Sequence, residues 1–149
     1  MIETAEQLSL YKRDIFLWTE ETIAKLRAKD FENLDLENLI EEIESLGISQ
    51  KKELLSRLTT LLEHLLKRLY VNLPNDYNGW ERTIRNQRRE LKLLLIQMPS
   101  LKSKWQDSLN ISWQLALADV KAEYKSISFP STWQFSDDVE IMLNVNFWE

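Results

Sequence analysis

The sequence predicts an all-α protein, an up-and-down bundle of four long helices with a short inserted helix and a short C-terminal helix. Apolar residues recur at intervals of three and four through most of the chain, which is the spacing of one helical face. Only two glycines and three prolines interrupt the 149 residues. With 44% hydrophobic and 29% charged residues, the composition is that of a globular protein. We therefore expect residues 1–149 to form a single helical domain.

The first two predicted helices are defined by their apolar stripes and their ends. The first stripe covers residues 4–29. A short inserted helix is predicted over residues 35–46, because Asp35 is a good N-cap and Gly47 is suited to a left-handed C-terminal position.

A leucine-rich helix over residues 50–71 is predicted to form the centre of the core. Its leucines share one face, namely Leu54, Leu55, Leu58, Leu61, Leu62, Leu65, Leu66 and Leu69. Residues 74–79 contain proline, asparagine and glycine and are predicted to form a loop. The next helix is predicted over residues 80–98 and ends at Pro99.

The C-terminal third combines a long helix with an aromatic tail. A helix is predicted over residues 101–126 and a short one over residues 136–143. Trp133, Phe147 and Trp148 give the tail its aromatic character. We expect these three side chains either to strap across the bundle or to form an exposed patch for a partner protein.

The scarce residue types exclude several classes of function. The absence of cysteine excludes disulfides, thiolate metal sites and thiol nucleophiles. Two glycines, Gly47 and Gly79, cannot supply a dinucleotide fingerprint or a phosphate loop. One histidine, His64, excludes zinc sites that need two or three histidines. We therefore expect no cofactor and no bound metal.

The hydropathy pattern argues against a membrane protein. The longest unbroken apolar run covers residues 93–96, far short of the ~20 residues needed to cross a bilayer. The polar N-terminus lacks the apolar core of a signal peptide. We expect a cytoplasmic protein that does not contact membranes.

Charge is unevenly distributed along the chain. Residues 1–48 carry a net charge of −7, residues 49–105 a net charge of +7, and residues 106–149 a net charge of −5. The simplest interpretation is that acidic and basic helices lie side by side in one domain, because the first two blocks cancel.

Several short patterns together resemble a known family. They include Leu10-Tyr11 with Asp14, Trp18-Thr19, Leu26-Arg27, the block LDLENLIEEIESLGISQKKEL (34–54), LLEHLLKRLY around His64, Trp80 with Thr83-Ile84 and Gln87-Arg88, Pro99-Ser100-Leu101, Phe129-Pro130 and Phe147-Trp148. On these residues the chain resembles the bacterial, largely cyanobacterial, family called domain of unknown function twenty-nine. The resemblance covers nearly the whole chain and implies an all-α fold. It implies no activity and supplies no catalytic residues.

A polar cluster is the candidate site for chemistry. His64 lies on the polar flank of its helix together with Arg57 and Arg68. Glu41 and Glu44, on the preceding predicted helix, are placed to supply a carboxylate to the histidine. Such a cluster serves either as a structural tie between two helices or, in an enzyme or small-ligand protein, as an acid–base pair.

A basic stripe is the candidate site for phosphates. Arg82, Arg85, Arg89 and Lys92 share one face of the 80–98 helix, with Arg88 on its flank. The stripe lacks exposed aromatic residues on which bases stack. It is either a solvated face, one that pairs with the acidic helices, or a nucleic-acid contact.

The function that the sequence favours is a non-enzymatic interaction or adaptor protein, with an unidentified protein or a second copy as its partner. The main support is the absence of a nucleophile constellation, a phosphate loop and a complete metal shell. Nucleic-acid binding through the basic stripe and ligand chemistry at the polar cluster remain the two alternatives.

Overall fold

A computed structural model describes residues 9–149 of the chain, and every regular element in that range is helical. The prediction of an all-α fold is confirmed. The chain divides into two compact units, Met1–Gly47 and Ile48–Glu149. The predicted start of the first helix at residue 4 lies outside the described residues.

The first unit contains two short helices and the beginning of a long one. Helix α1 covers Leu10–Arg13, α2 covers Ile15–Arg27, and α3 begins in this unit and covers Leu36–Tyr70. The first predicted helix is therefore divided at Asp14. Its carboxylate accepts a hydrogen bond of 3.1 Å from the backbone N–H of Leu17, as an N-cap does.

Polar and aromatic contacts hold the first unit together more than an apolar core does. Only Trp18 and Thr22 are buried among its described residues. The Trp18 indole N–H donates to the Asp35 carboxylate at 3.2 Å, and the Tyr11 ring packs edge-on against Trp18 at 5.0 Å. The Tyr11 hydroxyl donates to Glu42, and this hydrogen bond to a carboxylate raises the pKa of Tyr11 to about 12.

The prediction that Gly47 ends a short helix is wrong. The predicted helices 35–46 and 50–71 are parts of the single helix α3, and Gly47 lies inside it without a positive φ. A glycine ends a helix only where the backbone turns left-handed, and neither a proline nor a polar turn follows Gly47. Glycine has a helix propensity about 1 kcal/mol less favourable than that of alanine, and the helical residues on both sides of Gly47 outweigh this difference.

The second unit contains the rest of α3 and three further α-helices. Helix α4 covers Pro74–Gln97, α5 covers Trp105–Glu123 and α6 covers Val139–Asn144. A 3-10 helix, Pro99–Lys104, joins α4 to α5. The loop predicted over 74–79 is wrong, because Pro74 occupies the first turn of α4, where its missing N–H costs nothing.

Contacts across the second unit fix the directions of its three long helices. On α3, Arg57 contacts Glu90 at 3.9 Å and Arg68 contacts Glu81 at 3.5 Å, so α4 runs antiparallel to α3. The direction of α5 follows from two contacts with α3, Ser112 Oγ to the Leu55 carbonyl at 3.1 Å and Lys67 to Glu123 at 3.1 Å. Helices α3 and α5 are therefore parallel, with α4 antiparallel to both.

The core of the second unit is built on the predicted leucine face of α3. Leu55 and Leu69 are half-buried, whereas the six other leucines of the face are fully buried, namely Leu54, Leu58, Leu61, Leu62, Leu65 and Leu66. Side chains from α4, α5, α6 and the tail complete the core. None of the helices in the described part has the length and hydropathy that crossing a bilayer requires.

Candidate functional site

A groove lies between α4 and α6 in the second unit. Its main part has a volume of about 640 Å³, and an adjoining part of about 430 Å³ shares four residues with it. The shared residues are Lys92, Ile96, Leu143 and Asn144. We call the two parts together the α4–α6 groove.

The lining of the α4–α6 groove combines apolar side chains, which we call its floor, with basic side chains, which we call its rim. Leu93 and Ile96 contribute to the floor and are 46% and 74% exposed. Arg85, Arg89 and Lys92 form the rim, and all three are exposed. Among the described residues, neither Arg85 nor Lys92 has an acidic partner. Arg89 has a single long contact, at 3.9 Å, with Glu90, its neighbour in the chain. The rim therefore presents positive charge that has little ion pairing among the described residues. Glu140, which is exposed in the adjoining part, is the acidic side chain of the lining.

Arg88 differs from its basic neighbours because it is buried, with 6% of its surface exposed. Its guanidinium donates to the Met142 carbonyl at 2.9 Å, to Asn146 Oδ1 at 3.2 Å and to the Val145 carbonyl. It also lies 5.9 Å from the centre of the Phe147 ring. Burial lowers the pKa of Arg88. Arg88 thus anchors the end of α6, which is one wall of the groove, to α4.

The predicted basic stripe is only partly assembled at the groove. Arg85, Arg89 and Lys92 line it, whereas Arg82 is exposed on α4 outside the lining. Sequence reasoning placed Arg88 on the flank of this stripe, and it is instead buried. The charge pattern of the sequence marked the rim, but it gave no sign of the apolar floor.

The residues of the predicted polar cluster engage other partners. Glu41 and Glu44 lie in the first unit and are exposed, and no described hydrogen bond or ion pair joins either to His64. Arg57 contacts its neighbours Glu53 and Glu90 and the amide of Gln87, the last of these at 3.3 Å.

Arg68, another member of the predicted polar cluster, lies among aromatic rings. Its guanidinium carbon is 3.8 Å from the centre of the Tyr77 ring and 5.3 Å from that of Trp148, and its ion pair is with Glu81. The distance to Tyr77 is short enough for cation–π stacking.

His64 has the environment of a neutral, structural histidine. Its Nδ1 lies 2.8 Å from the Thr60 carbonyl, one turn earlier in α3, and is therefore the nitrogen that carries the proton. Burial lowers the pKa of His64 and outweighs the effect of that hydrogen bond. Among the described residues, no hydrogen bond joins His64 to a carboxylate, so the predicted histidine–carboxylate pair is not assembled.

A carboxylate pair between α3 and α5 was missed by sequence reasoning. Burial raises the pKa of Glu63 to about 7, helped by a hydrogen bond to Asp119 and by the negative charge of that carboxylate. Lys67 opposes the shift but is itself bonded to Glu123. Because the two carboxylates come from different helices, only the register of α3 against α5 reveals them.

The Glu63–Asp119 pair predicts a pH-dependent effect of Glu63→Gln on stability. Between about pH 4.5 and pH 7, Glu63 has lost its proton in the unfolded chain but keeps it in the folded chain. The free energy of unfolding therefore falls as the pH rises through this range. The glutamine keeps the hydrogen bond and removes this loss. We expect the variant to match the wild type at pH 5 and to exceed it at pH 8, by about 1 kcal/mol after allowance for solvent screening.

Thermal unfolding at both pH values measures this difference. The control is Glu32→Gln, which neutralises an exposed carboxylate of the first unit and should follow the wild type throughout. An equal change in stability from Glu63→Gln at pH 5 and pH 8 contradicts the raised pKa of Glu63.

The predicted aromatic patch packs within the chain. Trp133, Phe147 and Trp148 are half-buried against the core of the second unit. The ring centre of Trp133 lies 6.0 Å from that of Trp113 and 5.3 Å from that of Phe147. Of the two alternatives expected from the sequence, strapping across the bundle and an exposed patch, the packing matches the first. The α4–α6 groove is therefore the more open feature.

Between Ser9 and Glu149, no three histidine, aspartate or glutamate side chains are grouped to hold a metal ion.

Comparison with known proteins identifies the family but no activity. Neither the curated proteins nor the solved structures give a match to the chain. The family described as Domain of unknown function DUF29 matches residues 10–148. The chain therefore belongs to that family.

Proposed function

We propose that this member of the DUF29 family is a non-enzymatic interaction protein whose α4–α6 groove binds an acidic, amphipathic segment of a partner protein. The observation that carries the proposal is a basic rim with little ion pairing beside exposed apolar side chains. We further propose that this adaptor acts in the cytoplasm, with which a cysteine-free chain is compatible.

The chemistry of the groove favours a peptide with two kinds of side chain. Leu93 and Ile96 offer apolar surface to leucine- or isoleucine-like anchors, as helix-binding grooves do. Arg85, Arg89 and Lys92 offer charge to carboxylates beside those anchors. A segment with apolar residues on one side and carboxylates along its border satisfies both.

A nucleic acid fits the same groove less well. Its phosphates would satisfy the basic rim, but its backbone has nothing apolar to cover the floor. The aromatic side chains nearest the groove support no base stacking, because Phe147 is half-buried beneath Arg88. We therefore place nucleic-acid binding second, and the experiment below separates the two.

The test measures binding of a fluorescein-labelled amphipathic helix of leucine and glutamate, about five turns long, to the full chain by fluorescence anisotropy. A counterpart with lysine for every glutamate and a random-sequence DNA duplex are measured in parallel. We expect binding of the acidic peptide only. Replacing Arg85 and Arg89 by glutamate should weaken it by about tenfold or more.

The matched control is the double variant Lys121→Glu with Lys125→Glu, which changes the net charge equally at two exposed residues outside the groove. It should bind the acidic peptide like the wild type. Duplex binding that falls steeply with salt and needs Arg85 and Arg89 would replace the proposal with nucleic-acid recognition. Acidic-peptide binding that both double variants weaken equally would reduce it to non-specific charge attraction.

A further inference from the structure

We infer that the segment bound by the α4–α6 groove is the N-terminal part of α3, residues 36–46, from a second copy of this chain. The inference rests on the proposed function and names its partner. Two features carry it, an apolar acidic helix face in the first unit and a basic apolar groove in the second.

The first of these features is an apolar stripe on α3 that the described part of the chain leaves exposed. Leu36, Ile40, Ile43 and Leu46 recur at three- and four-residue spacing and are between 53% and 65% exposed. Single exposed apolar residues are ordinary, but a contiguous row of this kind marks an interaction surface.

Carboxylates border this apolar stripe. Glu37, Glu41 and Glu44 are exposed along one side of it, and residues 36–46 contain no basic side chain. The segment therefore has the chemistry that the groove requires, with apolar anchors beside a row of negative charge.

Charge decides where on a second copy the stripe docks. Pairing two first units stripe to stripe would bring together two segments that each carry a net charge of −7 over residues 1–48. Like charges held together across an interface are costly. The basic rim at Arg85, Arg89 and Lys92 offers the opposite sign, so the groove is the favoured site.

The lengths of the two surfaces also agree. Residues 36–46 span about 16 Å of helix at 1.5 Å per residue, and the groove-lining row of α4 from Arg85 to Ile96 spans about the same. Each copy has one segment and one groove. In a mutual exchange between two copies both segments and both grooves are occupied, and the dimer that we infer is of this closed kind.

Sedimentation velocity on the full chain tests the dimer, and reversed charges test the contact. We expect the wild type to be dimeric at micromolar concentration. One variant reverses the groove, with Arg85→Glu and Arg89→Glu, and the other reverses the segment, with Glu41→Lys and Glu44→Lys. All four residues are exposed, so both variants should keep the helical circular dichroism of the wild type while their self-association weakens about tenfold or more.

Mixing the two variants supplies the decisive control. In the mixture each groove meets a segment of opposite charge, so we expect a one-to-one heterodimer of near wild-type affinity. Rescue of this kind cannot arise from a general effect of charge on solubility or folding. The double variant Lys121→Glu with Lys125→Glu should remain dimeric alone.

Two outcomes overturn the inference. A wild type that stays monomeric is one, and a dimer that survives in both reversed variants is the other, because it must use a different face. The acidic-peptide measurement then separates the two proposals. If that peptide still requires Arg85 and Arg89, the groove binds some other acidic partner, whereas failure of both experiments removes the proposed function as well.

Discussion

Replacing Arg88 by alanine is expected to lower the free energy of unfolding by about 3 kcal/mol, because a buried charged donor serves three acceptors at once. The carbonyls of Met142 and Val145 and the side chain of Asn146 all accept from its guanidinium. Without Arg88, the end of α6 loses its attachment to α4. Urea unfolding followed by circular dichroism measures the loss.

Two variants of the same helix define the cause of this loss. Arg82→Ala removes an exposed arginine six residues away, outside the groove lining, and should change stability by less than about 0.5 kcal/mol. Arg88→Lys keeps the charge, but an ammonium group cannot reproduce the fixed fork of the guanidinium, so most of the loss should remain. If Arg88→Ala and Arg82→Ala differ by less than about 0.5 kcal/mol, the anchoring role is wrong.

Arg88 also shows why a helical pattern locates a side chain better than it identifies its surroundings. The periodicity of α4 places Arg88 beside the exposed stripe of Arg85, Arg89 and Lys92, and nothing in that pattern indicates what covers it. Its cover is α6 and the tail, more than fifty residues further along the chain. Local spacing carries no information about such distant packing.

The same distinction separates the helix predictions that are confirmed from those that are wrong. The leucine face over 50–71 is predictable because burial of one helical face leaves a period of 3.6 in the sequence. The end of a helix depends on single residues whose propensities amount to about 1 kcal/mol, which neighbouring turns outweigh. Gly47 and residues 74–79 both look like breaks by residue type, yet both lie within helices.

The candidate site was predictable in its charge but not in its shape. Arg85, Arg89 and Lys92 are visible in the sequence as a basic face, whereas Leu93 and Ile96 become a groove floor only because α6 lies beside them. The Glu63–Asp119 pair is a similar case, because its two carboxylates meet only through the register of α3 and α5.

Loss of an apolar side chain should lower the free energy of unfolding far more at the C-terminal end of α3 than at its N-terminal end. Leu62 is 1% exposed in the core of the second unit, and Leu62→Ala is expected to lower the free energy of unfolding by about 2–5 kcal/mol, since it leaves a cavity. Ile43 is 59% exposed in the first unit, so Ile43→Ala removes little buried surface. Its cost should stay below about 1 kcal/mol, because alanine also favours the helix.

Urea unfolding and sedimentation velocity of these two variants distinguish a residue that stabilises the fold from a residue that contacts a second copy. Leu62→Ala should unfold at lower urea and still dimerise while folded. Ile43→Ala should remain stable and lose self-association. A loss below about 1 kcal/mol for Leu62→Ala would show that the leucine face is not central to the core. A large loss of unfolding free energy for Ile43→Ala in the monomer would mean that the apolar stripe stabilises the chain itself. A stripe that the fold needs in this way is not free to occupy the groove of a second copy.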